Sequence, residues 1–114
     1  MLTIENLNKI GVKTQEGLAR CLNNEAFYLR LVAKVRNDAT FDKLYDAINN
    51  NDLKLAFECA HALKGVLGNL SLTPMETPIK EMTELLRTGK EMDYSSYIDE
   101  IKKQKEIFDK VCDE

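Results

Sequence analysis

The sequence predicts an all-α protein, an up-down four-helix bundle with short extra helices at its N-terminus. Apolar residues recur at helical spacing along most of the chain, strand-like alternation is absent, and capping residues interrupt the pattern at short intervals. The 114 residues suffice for one packed core, and no Pro-, Gly- or Ser-rich linker divides them. We therefore expect a single helical bundle domain over residues 1–114.

The N-terminal part should contain two short helices. The first covers residues 4–10 and stops at Gly11, since glycine readily ends helices. Thr14 is expected to cap a second helix that runs to about Leu22, and Asn23-Asn24 then breaks the chain.

The next two helices carry apolar stripes at helical spacing. A helix over residues 25–37 should bury one face, formed by Phe27, Leu31, Val32 and Val35. Thr40 is expected to cap the following helix, whose recurring apolar residues are Phe41, Leu44, Tyr45 and Ile48. The run Asn49-Asn50-Asn51 ends it, because asparagine tolerates left-handed geometry.

Three helices should complete the bundle. Asp52 is a good N-cap for a helix from Leu53 to about Leu70. After it, both Thr73-Pro74 and Thr77-Pro78 could start a helix; we favour a turn at 74–77 and a firm helix over 78–88, because an internal Pro78 would remove a backbone hydrogen bond. Gly89-Lys90 closes that helix. Asp93 should cap the last one, whose buried seam is Tyr94, Tyr97, Ile98, Ile101, Phe108, Val111 and Cys112.

Composition and charge exclude several classes of protein. Apolar residues make up 44% and charged residues 31%, as in ordinary soluble domains, and a net charge of −3 gives no support for nucleic-acid binding. No apolar run approaches the roughly 20 residues that span a bilayer, and the N-terminus lacks the features of a secretory signal. We expect a cytoplasmic monomer that binds neither nucleic acid nor membrane.

Cysteine and methionine should serve packing. Cys21, Cys59 and Cys112 are odd in number and form no Cys-x-x-Cys pair, which argues against a disulfide framework and a zinc site. All three should be reduced and mostly buried. Three methionines should also fill the core: Met75, Met82 and Met92.

The single histidine is the strongest candidate for a functional residue. At 100° per residue, His61, Lys64, Gly65 and Gly68 share one helical stripe. The opposite, core-facing side is formed by Leu55, Ala56, Cys59, Leu63, Val66, Leu67 and Leu70. Each glycine inside a helix costs about 1 kcal/mol relative to alanine, so the pair indicates a face that another molecule approaches closely.

The residue types around His61 favour phosphoryl chemistry. A neutral imidazole is a nucleophile near neutral pH, and Lys64 at i+3 can place an ammonium beside an anion on the ring. Phosphoryl transfer depends mainly on positioning and charge neutralisation. Alternatively, Gly65 permits tight packing of another helix, with His61 buried. Phe57 either folds back over the edge of the bundle or belongs to a docking patch.

The pattern His61-x-x-Lys64-Gly65-x-x-Gly68 resembles the phosphoacceptor helix of histidine-containing phosphotransfer (HPt) domains, the four-helix modules that relay phosphate in two-component signalling. Residues 17–20 and 24–32 are similar to the two N-terminal helices of such modules, and the likeness covers roughly residues 10–112. The family often places a polar side chain of the next helix beside the histidine, for which Lys80 and Thr83 are candidates here. Many members have a glycine shortly after the position of Leu70, where this chain has Ser71-Leu72.

The resemblance implies a phosphoryl carrier. His61 would accept phosphate from a receiver-domain aspartate and pass it to another receiver, with Lys64 supporting the phosphate and Gly65, Gly68 and Phe57 forming the access and docking surface. The implied partners are receiver domains of response regulators and of hybrid histidine kinases.

The sequence does not indicate a kinase. It has no phosphate-cradling glycine loop and no acidic cluster for Mg²⁺, so we expect no autonomous kinase activity and no cofactor or metal, with Mg²⁺ held by the partner receiver. A helical adaptor that binds a receiver or a partner helix without phosphate chemistry is the alternative. A metal-dependent hydrolase is disfavoured, because it needs several convergent ligands.

Overall fold

The computed structural model describes residues 2–114, and 75% of the chain is helical with no strand in that range. The predicted all-α fold is therefore confirmed. The helices are α1 (Ile4–Lys9), α2 (Thr14–Arg20), α3 (Glu25–Val35), α4 (Thr40–Asn49), α5 (Leu53–Asn69), α6 (Thr73–Arg87) and α7 (Ser95–Asp113). Helix α5 packs against both α4 and α6, and α6 packs against α7.

Helix α7 closes the bundle by returning beside α4. The Lys102 ammonium lies 4.9 Å from the centre of the Tyr45 ring, and the Lys105 ammonium lies 5.1 Å from that of Phe41. Such cation–π contacts are strongest where the cation is partly desolvated, as at this helix–helix seam. The order of α4 to α7 with short connections gives the up-down bundle, preceded by α1, α2 and α3. Within residues 2–114, no helix is both long and apolar enough to cross a bilayer.

The local signals around α5 are confirmed. Asp52 is its N-cap, and the carboxylate oxygen accepts a hydrogen bond from the Leu55 amide at 3.1 Å. Asn51 adopts a left-handed backbone with φ of 54°, as expected of the asparagine run that ends α4. Gly11 follows α1 with φ of +91°. These features depend on neighbouring residues alone, which is why sequence is sufficient to find them.

The capping roles predicted for two threonines are wrong. Thr14 and Thr40 are each the first helical residue, and the residue before them is an N-cap without a side-chain hydrogen bond. The Thr14 hydroxyl donates to the Asn8 side-chain oxygen at 2.6 Å, a bond between α1 and α2. At α4, Asp38 accepts from the Thr40 amide at 2.9 Å, so an upstream aspartate satisfies the exposed amide instead.

Several predicted helix ends also move by one or two residues. Asp93 accepts from the Ser95 amide at 2.9 Å, but the N-cap of α7 is Tyr94. Helix α2 ends at Arg20, because Leu22 and Asn23 both adopt φ of 56°. Helices α3 and α5 end at Val35 and Asn69.

The predicted turn at 74–77 is wrong, because α6 begins at Thr73 and contains Pro78. A proline inside a helix costs about 3 kcal/mol. Burying a large apolar side chain contributes about 1.5–3 kcal/mol, and the early helix start buries both Met75 and Pro78. The Thr77 hydroxyl also donates to the Thr73 carbonyl at 3.0 Å. Packing against the core therefore outweighs the local preference.

The core differs from the predicted apolar faces at four positions. Leu55 and Val66 of α5 are 41% and 38% exposed, and Phe27 and Met92 are 41% and 40% exposed. A predicted stripe of seven residues is wider than the face that α4 and α6 cover, so its margins reach solvent. Met75 and Met82 are buried as predicted. All three cysteines are free, Cys21 and Cys59 buried and Cys112 half-buried.

Tyr28 is fully buried and ties α3 to the end of α5. Its hydroxyl donates to the Leu70 carbonyl oxygen at 2.8 Å. Gly17 of α2 lies against the same pair: a Cβ at this position would be 2.8 Å from the Leu70 carbonyl oxygen and would overlap the Tyr28 ring. Gly17 is thus required by packing.

Alanine at Gly17 and at Gly65 should change stability in opposite directions. Gly17→Ala should lower the free energy of unfolding by about 1–3 kcal/mol, because its Cβ meets a backbone oxygen that cannot move cheaply. Gly65→Ala should raise it by up to about 1 kcal/mol, since nothing lies within 4 Å of its Cβ. Urea unfolding of both variants measures this, and destabilisation by Gly65→Ala would contradict the open position.

Candidate functional site

Helix α5 holds His61 on its solvent side. The preceding Ala60 and the nearby Leu63 are buried, whereas His61 and Ala62 are exposed. The alternative in which Gly65 packs against a helix and His61 is buried is therefore excluded. An imidazole on the outside of a rigid helix, anchored by buried neighbours, is both fixed in position and accessible.

Phe57 lies one turn before His61 and contacts its ring. The two rings are stacked, with centroids 5.7 Å apart and an interplanar angle of 20°. Phe57 is half-buried and packs against the core. Phe57 therefore folds back over the edge of the bundle, which was one of the two interpretations of this residue drawn from the sequence. Its ring supports one face of the imidazole.

The two glycines of the stripe have different surroundings. Around Gly65 a Cβ would meet no atom within 4 Å, so the surface one turn after His61 is open. At Gly68 a Cβ would lie 2.9 Å from a carboxylate oxygen of Glu76, whose side chain extends from α6 over this position. The open approach to His61 thus lies at Gly65, and Gly68 is partly covered.

Lys64 is held in an ion pair with α6. Its ammonium lies 3.5 Å from a carboxylate oxygen of Glu84, and the other oxygen of Glu84 lies 3.4 Å from Nε of Arg87. The Arg87 guanidinium is also 5.2 Å from the centre of the Phe57 ring. Glu84 and Arg87 are thus charged residues that α6 brings to this face, in addition to Glu76 over Gly68, and the sequence predicted none of the three.

Lys80 and Thr83 were the predicted contributions of the neighbouring helix, and among residues 2–114 neither forms a hydrogen bond with His61. Thr83 is fully buried, and its hydroxyl donates to the Ile79 carbonyl at 2.6 Å within α6. Lys80 is exposed beside a surface cavity between α6 and α7, with Glu81 and Tyr97. The buried apolar residues of α6 set its rotation, and this rotation points Thr83 inward and Glu84 toward α5.

The electrostatics around the site follow from these contacts. The Arg87 guanidinium, through a hydrogen bond and its charge, and to a smaller extent Lys64, lower the pKa of the Glu84 carboxyl. Glu84 is thus a carboxylate at neutral pH. Cys59 lies two residues before His61 but points into the core, where burial raises the pKa of its thiol, so it is a packing residue.

The residues do not suggest a metal centre. Among residues 2–114 no group of three or more His, Cys, Asp or Glu side chains is placed to hold an ion. Along α5 the nearest charged side chains are Glu58 and Lys64, each three residues from His61, so both signs of charge lie within one turn of the ring.

The turn after α5 accommodates a departure from the family pattern. Ser71 adopts a left-handed backbone with φ of 55°, a conformation that costs a residue with a side chain about 1–2 kcal/mol. Its hydroxyl accepts a hydrogen bond from the Arg20 guanidinium at 2.5 Å, and its carbonyl accepts from the Lys13 amide at 3.2 Å. These bonds to α2 and the preceding loop hold the turn without glycine.

A family model of the Hpt domain matches residues 31–109, which span the end of α3, all of α4, α5 and α6, and α7 except for its last four residues. The chain belongs to the Hpt domain family. Neither the curated proteins nor the solved structures gave a match. At the level of the family, Hpt domains carry phosphoryl groups on histidine in phosphorelays, interact with receiver domains and are carriers rather than kinases.

Proposed function

We propose that this protein is a phosphoryl carrier in which His61 accepts phosphate from the aspartyl phosphate of one receiver domain and passes it to the aspartate of another. The observation that carries the proposal is an exposed imidazole with open space at Gly65 and an ammonium at Lys64, one turn further along α5. A receiver must bring its aspartate to within bonding distance of the histidine, and only an uncrowded face permits this.

The step balances without a co-reactant. The lone pair of the unprotonated ring nitrogen of His61 attacks phosphorus, the P–O bond to the aspartate breaks, and its electron pair returns to the carboxylate. The proton on the other ring nitrogen can leave to water. The reverse sequence passes the phosphoryl group on. Such transfers depend on in-line positioning and charge neutralisation, for which Phe57 supports the ring and Lys64 supplies a cation.

The partner would supply what this site does not provide. We expect Mg²⁺ to be bound by the receiver, because no group of three or more His, Cys, Asp or Glu side chains among residues 2–114 is placed to hold an ion. We also expect no autonomous kinase activity and a monomer that binds receivers of response regulators and hybrid kinases.

The direct test is incubation with a phosphorylated receiver domain. Phosphate should move to this chain, and the product should be labile in acid and stable in base, as expected of a phosphoramidate. Because His61 is the only histidine, a phosphohistidine in this chain can lie only at that residue, and loss of the product in His61→Gln assigns it there. An acid-stable linkage, or no transfer from any receiver, would count against the carrier and favour the adaptor.

Lys64→Ala should slow transfer only moderately. The lysine is partly solvated and shared with Glu84, and an exposed ion pair contributes about 0.2–1 kcal/mol, so the rate should fall by up to about five-fold. Lys54→Ala, which removes the same charge from an exposed position of α5, is the matched control. Single-turnover rates measure both, and equal slowing would show that Lys64 acts only through net charge.

A further inference from the structure

Glu84 connects the two cations nearest to the site. One of its carboxylate oxygens lies 3.5 Å from the Lys64 ammonium, and the other lies 3.4 Å from Nε of Arg87. Lys64 cannot satisfy Glu84 and a phosphoryl group on His61 equally, because its ammonium is a single point charge. The Glu84 carboxylate and a phosphoryl group on His61 would therefore compete for the Lys64 ammonium.

We propose that Glu84 is a positioning residue that holds Lys64 while His61 is free and competes with the phosphoryl group for Lys64 once His61 is phosphorylated. The inference rests on the carrier function proposed above. No covalent bond changes in this exchange: Lys64 moves from the carboxylate to the phosphoryl oxygens and returns when the phosphate leaves. Glu84 thereby favours donation of phosphate over its retention.

The geometry permits the exchange. Residues three apart on a helix have Cβ atoms about 5–6 Å apart, so the flexible Lys64 side chain can reach either anion. The pair is loose at 3.5 Å, and the side chains of Lys64 and Glu84 are 31% and 56% exposed, which keeps the bond weak and reversible. Arg87 remains with Glu84 when Lys64 leaves, so the carboxylate stays charged and in place.

The test is the equilibrium ratio of phosphorylated carrier to phosphorylated receiver after mixing. Glu84→Gln should raise this ratio by about two- to five-fold, the range expected of an exposed ion pair. Glu81→Gln is the matched control, because it removes the same charge from an exposed position of α6 three residues away. It should leave the ratio nearly unchanged, and both variants should remain folded, with melting temperatures within about 5 °C of the parent.

A double-mutant cycle tests whether Glu84 changes the ratio through its contact with Lys64. In the Lys64→Ala background, Glu84→Gln should no longer raise the ratio. If the increase persists there, Glu84 acts through the general field of the surface, and the proposal is overturned. A ratio that is unchanged or lowered by Glu84→Gln in the parent background overturns it as well.

A second measurement separates this inference from the carrier function. His61 can be phosphorylated directly with a small phosphoramidate donor, without a receiver, and the Lys64 side-chain ammonium followed by NMR. Phosphorylation should shift the Lys64 signal, and Glu84→Gln should shift it in the unphosphorylated protein. An unmoved Lys64 signal on phosphorylation refutes the competition, whereas a shift without any receiver-dependent transfer refutes only the relay.

Discussion

Replacement of His61 by glutamine should abolish phosphate acceptance and leave the fold intact. Glutamine has no nucleophilic nitrogen, and the chain has no second histidine to take its place. Because His61 is exposed, the free energy of unfolding should fall by no more than about 1 kcal/mol, most of it from the lost stack with Phe57. Transfer from a phosphorylated receiver and thermal melts measure the two effects.

The same variant separates the carrier from the adaptor. An adaptor should retain its signalling output with His61→Gln, because binding to a receiver does not need the imidazole. A carrier should bind the receiver and transmit nothing. Retained phosphorylation of the variant would place the phosphate elsewhere, and a large loss of stability would show that the ring contributes to packing.

Gly65→Gln should fold normally but transfer phosphate about a hundred-fold more slowly. No atom lies within 4 Å of the position of its Cβ, so the helix accepts a longer side chain without a clash. That side chain would occupy the space in front of His61, and an in-line displacement tolerates displacements of only about 1 Å before the rate falls by this amount. Single-turnover transfer from a receiver measures the rate.

Gly65→Ala is the control for Gly65→Gln. The methyl group adds little bulk, so this variant should transfer phosphate much faster than the glutamine variant while being more stable than the parent. If Gly65→Gln transfers at the parental rate, close approach at this position is not required for the reaction. If it unfolds, the glycine serves internal packing.

The histidine stripe was predictable because it follows from helix geometry within one segment. His61 and Gly65 are four residues apart in a helix with an effective N-cap at Asp52, so their common face is fixed before any other helix is placed. The same local reasoning predicted that Leu55 and Val66 would be buried, whereas both are partly exposed. How far a stripe is covered depends on the neighbouring helices, and their positions are not contained in α5.

The partner helix shows the opposite case. Lys80 and Thr83 were expected beside the histidine because the family often places a polar side chain of the next helix there. In the structure Ile79, Met82 and Leu86 are buried, and Thr83 on the same side of α6 is buried with them. Glu84 and Arg87 then face α5, at an exposed surface where no hydrophobic pattern marks them.

Sequence by itself determined the helical class, the cap of α5, and the exposed alignment of His61, Lys64 and Gly65, because each depends on residues less than two turns apart. Tertiary structure decided the start of α6, the burial of Gly17 against Tyr28, and the pairing of Lys64 with Glu84. These features require two segments to be brought together. Packing between helices can outweigh the cost of about 3 kcal/mol for a proline inside a helix. The sequence of one segment does not show whether this happens, because the packing energy depends on the other helices.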